Sequence, residues 1–343
     1  MAFSGSFSNN QNDSLKMERD YSISVIRMFA MVLIVTCHVL QWFQNPLAFW
    51  FNLGVPIFLV ISGFLYGAKN VDDPIVWTLN NGIKIIVPCW LLLCIVLPVY
   101  AWIGSEEITG KNIISFVFFY RTVTGCGHLW FISCILWCYL MTPALDKMKS
   151  SFVGRSELRF WCYMMLIFAF VSVIGVIYRS HIHPAWVLCY VLGYYMAYYR
   201  KSYGEYKYNY CVKFLILIGC ACLLLRIGIE CCGIDQQQGF SLRIYRFFSP
   251  FINAMIGIGI FFLLKSVLYA RSMSILKLSD SYSYHIYLTH HIFALGPLSV
   301  FSMKLGLPWG AMWYGCIFVT ATISSAFILR KVSDAVIRVL KFT

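Results

Sequence analysis

The chain has 343 residues, 60% of them hydrophobic and 12% charged, with a mean hydropathy of +0.73. A soluble domain carries about 25% charged residues, so a depletion spread along the whole length excludes a soluble globular protein and indicates a polytopic membrane bundle. The net charge of +13 does not point to nucleic acid, because the basic residues sit in short segments between apolar runs, where membrane topology places them.

Residues 1–20 are polar and rich in Ser and Asn, with no apolar core and no cleavage site. They read as a disordered cytoplasmic tail rather than a signal peptide, and the first span is expected to act as an uncleaved insertion signal. Apolar runs of about 20 residues mark candidate spanning helices. They fall near 21–43, 48–68, 80–103, 127–145, 160–178, 184–199, 210–230, 247–268, 280–302 and 309–330. The apolar run Ile113–Tyr120 is too short to cross and reads as an interfacial or re-entrant piece before the fourth span. The expected fold is an all-α bundle of about ten transmembrane helices forming one domain over 21–334, followed by a short cytoplasmic tail at 335–343.

With the N-terminus placed inside, seven of the 27 basic residues fall in outer segments: Lys111, Arg121, Arg179, Arg226, Arg243, Arg246 and Lys304. Arg27 lies within a span, and all the others fall in inner segments. Such an asymmetry sets orientation and predicts both termini on the cytoplasmic side. The cysteines lie mostly inside apolar runs, where they behave as small hydrophobes. No CxxC pair and no Cys/His ligand spacing appears, so no metal site is expected.

The first span carries two ionisable residues, Arg27 and His38. Such groups in hydrocarbon are costly and point to function by default. Eleven residues at about 100° each bring the two onto one helix face, about 16 Å apart along the axis. Arg27 is then near the inner end and His38 near the outer one. In the second span, Gly54, Pro56 and Ser62-Gly63 leave two readings open, a passage beside the first span or close packing of small residues. Ser62 has no base at a telling spacing. His128 and Trp130 open the fourth span at the depth of His38. Trp130 is either a stacking surface for a ligand or an interfacial anchor. In the ninth span Tyr284, Tyr287 and His290–His291 form the most polar face of the late spans, with His290 expected near mid-membrane. Glu230 follows Arg226 by one turn and is expected either to pair with it or to orient His38 or a ligand.

Several of these stretches, in this order, resemble the membrane acyltransferase family 3. They are Arg27-x10-His38; Gly54-Val-Pro-Ile-Phe-Leu-Val-Ile-Ser-Gly-Phe-Leu65; Lys84-Ile-Ile-Val-Pro88-Cys-Trp90; His128-Leu-Trp130-Phe-Ile with Pro143 after it; and Ser283-Tyr284-His-Ile-Tyr287-Leu-Thr-His290. The resemblance covers essentially everything after residue 20. It implies a multi-pass protein of the bacterial cytoplasmic membrane that moves an acyl group, commonly acetyl, from acetyl-CoA as co-substrate to a hydroxyl of a surface polysaccharide or lipid-linked sugar. The implied partners are acyl-CoA, a saccharide acceptor and membrane lipids, and a homo-oligomer is compatible with this reading.

Removing a sugar hydroxyl's proton needs a base, a role suited to histidine. His38 is expected to supply it, the competing reading being a buried histidine bonded to a neighbouring helix. Arg27 and Lys84 are expected to meet the donor's phosphates, although Lys84 also reads as a snorkelling lysine. His128, Trp130, Tyr287, His290 and Glu230 are the candidate acceptor-side residues. Where the family often carries Arg-x-x-Arg at the start of the third span, this chain has Asn81-Gly-Ile-Lys84, which leaves three readings open: a weaker anion site, another basic residue such as Lys277 as a substitute, or a donor other than a standard acyl-CoA. The alternative function is a transporter or flippase for a sugar-linked or anionic substrate, since transporters also turn rare ionisable residues toward a cavity. Against it, the two halves of the chain show no convincing repeat.

Overall fold

A computed structural model describes residues 21–107, 109–152, 183–233, 240–268, 274–302 and 310–340, together with Leu166, Phe170 and Val173. The described residues are helical, without strands. The helices are α1 (Tyr21–Trp42), α2 (Ala48–Phe51), α3 (Gly54–Gly67), α4 (Pro74–Trp102), α5 (Gly110–Val117), α6 (Trp130–Phe152), α7 (Pro184–Cys231), α8 (Phe240–Val267), α9 (Ser274–Ala294) and α10 (Gly310–Leu340). Seven stretches among them are helical, long and apolar enough to cross a membrane. The fifth predicted run, 160–178, lies outside the described residues except for Leu166, Phe170 and Val173. These three are helical and exposed, and at spacings of four and three they share one helix face. Residues 1–20, residues 341–343 and the side chain of Lys277 also lie outside what is described, while 335–340 of the expected C-terminal tail continue α10 as helix.

α1 shows why hydropathy alone locates such helices. Its 22 residues span about 33 Å. Ile23, Ile26, Ala30, Ile34 and Cys37 form a buried stripe at helical spacing, while Phe29 and Val32 on the other side are exposed. Both faces are apolar because one meets protein and the other lipid. α4 begins earlier than the apolar run suggested. Asp73 caps it, accepting from the backbone N–H groups of Ile75 and Val76 at 2.8 and 2.9 Å, with Pro74 at the first helical position. Within α4, Pro88 and Pro98 leave the carbonyls four residues earlier without an intrahelical donor. Beside the first of these, the Tyr284 hydroxyl of α9 donates to the Ile85 carbonyl at 2.6 Å. α5 is about 12 Å long, too short to cross. It buries Phe116, exposes Ile114 and Phe118, and is tied to α4 by the Trp90 indole N–H on the Val117 carbonyl, as an interfacial piece would be.

The 48-residue α7 comprises two crossings. Its Cys189 lies against Ala254 of α8, and its Gly219 against Gly259 of the same helix. A straight helix would separate positions 189 and 219 by about 45 Å, whereas 254 and 259 are about 7.5 Å apart. The chain therefore doubles back, and it does so at Gly204, whose φ of 80° and ψ of 168° lie in a region essentially reserved for glycine. Arg200 and Glu205 pair across the reversal at 2.6 Å. Gly204→Ala is expected to cost about 1–3 kcal/mol, read as a lower unfolding temperature of the detergent-purified protein.

α3 sits at the centre, against α1, α6, α7 and α8. Gly63 and Gly67 press on the Tyr190 and Tyr194 carbonyls of α7, and Gly193 of α7 presses on the Val60 carbonyl of α3. These glycines are packing positions. The small-residue face lets the two backbones touch, the usual basis of helix association in lipid. At the Arg27 end, Asp146 of α6 accepts from the Tyr194 hydroxyl and the Val71 N–H at 3.1 and 3.2 Å, and it pairs with Lys149. These contacts fasten the α3–α4 loop to α6 and α7.

Candidate active site

Three elements bring four imidazoles together at one end of the bundle. α1 supplies His38 near its last turn. A 3-10 turn at Gly127–Leu129 supplies His128, and the end of α9 supplies His290 and His291. The turn reaches α9 because Gly125, at a φ of 69°, lies directly against Gly296, where a side chain on Gly125 would collide with the Gly296 backbone. Ring centroids lie 4.4 Å apart for His38–His291, 5.2 Å for His38–His290, 6.4 Å for His38–His128, 4.5 Å for His128–His291 and 5.4 Å for His128–His290. His128, His290 and His291 are buried, while His38 is half-buried. Among the four, His38 is the accessible one.

The hydrogen bonds decide what His38 can do. Its Nδ1 bonds to Oε1 of Gln41, one turn further along α1, at 2.7 Å. With that nitrogen protonated, Nε2 carries the lone pair of the neutral ring. This is the arrangement of a general base held in one tautomer, with a neutral amide where hydrolytic triads use a carboxylate. The Tyr287 hydroxyl donates to the His128 carbonyl at 2.5 Å, so Tyr287 fixes the turn that carries His128. The α9 helix spans 274–294, so His290 lies in its last turns, beside His38. The helix starts and ends earlier than the apolar run, so His290 lies further along it than that run suggested.

The remaining expected acceptor-side residues do not join the cluster. The Trp130 ring packs on Phe131 and Trp186. Glu230 pairs with Arg226 at 3.4 Å. The buried Arg226 guanidinium donates to Asn253 Oδ1 at 2.9 Å and stacks on Phe49 and Trp50, 4.4 and 4.0 Å from their ring centroids. Of the two pairings foreseen for Glu230, the one with Arg226 is the one formed.

At the other end of the α1 face, Arg27 pairs with Asp280 of α9. Nearby in the second and third predicted spans, Asn81 Oδ1 accepts from Lys84 Nζ at 3.1 Å and from the Tyr66 hydroxyl at 3.2 Å, and Asn81 Nδ2 donates to the Trp77 carbonyl at 2.8 Å. Asn81 is thus an acceptor that holds the Lys84 ammonium. Asp280, Gln41 and the approach of His291 to His38 were not singled out in the sequence. Only Gln41, at i+3 from His38, left a local signal. Among the described residues no group of three His, Cys, Asp or Glu is placed to hold a metal ion.

Residues 20–331 match the family model described as an acyltransferase domain, that of acyltransferase family 3. No curated protein and no solved structure matches the chain.

Proposed function

Because the chain belongs to acyltransferase family 3 and is an integral-membrane acyltransferase, we propose that it transfers an acetyl group from cytosolic acetyl-CoA to a sugar hydroxyl at the outer face. The observation that carries this reading is His38. It is a half-buried imidazole held in one tautomer by Gln41, with its second nitrogen free to accept a proton and three more imidazoles around it.

In this reading His38 Nε2 takes the acceptor hydroxyl's proton as the oxygen attacks the thioester carbonyl. The C–S bond then breaks, and the proton passes to the departing thiolate. Arg27 and Lys84 would hold the donor's phosphates at the cytosolic end. Arg27 has several N–H donors, and the guanidinium can serve both Asp280 and an anion. The thioester arm would follow the α1 face outward for about 16 Å. Both termini are then cytoplasmic, supported by the bias of Lys and Arg toward inner segments.

The test is transfer of label from radiolabelled acetyl-CoA to a panel of glycans by the purified protein in lipid nanodiscs. Substrate uptake into vesicles without any donor-dependent transfer would overturn the reading in favour of a transporter. Arg27→Gln is expected to raise the KM for acetyl-CoA about 10- to 100-fold, the worth of a charge-assisted hydrogen bond, with kcat less affected. An unchanged KM would remove Arg27 from the donor site.

A further inference from the structure

Acyl transfer uses one lone-pair nitrogen, that of His38, yet the cluster holds others. His128 Nε2 donates to the Leu288 carbonyl at 3.2 Å, and His290 Nδ1 donates to the Tyr287 and Ile286 carbonyls at 2.7 and 3.1 Å. A neutral imidazole has one N–H. With it given to a backbone carbonyl, the second nitrogen can only accept. Those second nitrogens, His128 Nδ1 and His290 Nε2, are buried without a hydrogen-bond partner, in residues 3% and 0% exposed. An acceptor buried in this way loses its water and receives nothing in return. A purely structural histidine would be expected to use both nitrogens. The two rings that carry these acceptors have centroids 5.4 Å apart, and the His290 ring lies 5.2 Å from that of the reacting base.

The occupant must donate. A carboxylate or phosphate would meet lone pairs and is excluded on charge. A metal ion is disfavoured, because no suitable group of ligands is found among the described residues. The His128 and His291 rings also stack at an interplanar angle of 19° instead of turning their edges to a common point. A hydroxyl has one proton to give and so serves one of the two nitrogens; His290 is the one of the two whose ring lies nearer that of His38, at 5.2 Å against 6.4 Å.

Resting on the acyl-transfer reading, we propose that His290 Nε2 accepts from a hydroxyl adjacent to the one that is acylated, so that the acceptor is a vicinal diol on a sugar ring rather than an isolated alcohol. The separation of the His38 and His290 rings lets neighbouring hydroxyls of one ring meet one imidazole each. One O–H gives its proton to His38 and becomes the ester oxygen. Its neighbour keeps its proton and donates it to His290 Nε2.

The experiment uses the protein in nanodiscs with acetyl-CoA and octyl glycosides of gluco, galacto and manno configuration, each compared with its single-deoxy counterparts. Deleting the hydroxyl next to the acylated one is expected to lower kcat/KM by about 100-fold or more, as sites built to bond a hydroxyl reject analogues lacking it. In His290→Phe the parent and deoxy acceptors should become nearly equal, whereas in His128→Phe they should stay apart. Because either variant could fail to fold, ring-¹⁵N histidine NMR of the unmodified protein gives a second reading. The unprotonated His290 nitrogen should shift with the parent glycoside and not with the deoxy one. Equal use of both acceptors, discrimination that persists in His290→Phe, or a stoichiometric transition metal in the purified protein would each overturn the proposal. Absence of transfer to every acceptor would count against the acyl-transfer reading itself, while the NMR shift, which needs no turnover, still decides the subsite.

Discussion

Replacing His38 by alanine should reduce acyl transfer by about 10²- to 10⁴-fold, the usual contribution of a positioned base, while the KM for acetyl-CoA stays within a few-fold. The split follows from geometry. His38 lies eleven residues along α1 from Arg27, about 16 Å from the proposed donor site, so its loss should remove an interaction made only as the bond forms. The neighbouring imidazoles do not rescue the variant. His128, His290 and His291 are buried, whereas His38 is half-buried and is the accessible one of the four. Gln41→Ala should lower kcat less than His38→Ala, because the base remains but its tautomer is no longer held by the 2.7 Å bond from Nδ1. Transfer that persists unchanged in His38→Ala would remove the base from α1 altogether.

The second large effect is structural. Gly63→Ala places a methyl group against the Tyr190 carbonyl, a backbone atom that cannot rotate away. Separating α3 from α7 loosens the closest helix contact in the bundle's centre, and overpacking of this kind costs about 1–3 kcal/mol. Gly63→Val should cost more, to the point where little folded protein is recovered. Gly82→Ala provides the contrast. A Cβ at Gly82 meets nothing within 4 Å, and an alanine in a helix is favoured over glycine by about 1 kcal/mol. Thermal unfolding of the purified proteins should therefore move down for Gly63→Ala and stay level or rise for Gly82→Ala. Equal behaviour of the two would mean that α3 and α7 are not held by backbone contact.

The helices themselves were readable in the residues, because lipid leaves the backbone no partner but itself and every crossing must be an apolar helical run. The start of α4 was also written locally, in Asp73-Pro74, and a reading by hydropathy alone passed over it. The two crossings of α7 appeared as separate apolar runs, and Gly204 accounts for the reversal between them. Arg27 and His38 shared a face by helical arithmetic. Their partners did not show. Asp280 is 253 positions from Arg27, and no periodicity within α1 or α9 connects them.

The sequence by itself determined a membrane-spanning helical bundle, its family and the line from Arg27 to His38. These depend on hydropathy, spacing and local motifs, all of which act within one helix. Only the tertiary structure decided that His128, His290 and His291 gather around His38, that Glu230 belongs with Arg226, and that Gly63 and Gly67 are contact surfaces. Those outcomes depend on which helix faces meet. In lipid that is settled by close packing and a few buried polar contacts between segments far apart in the chain, which a single sequence does not display.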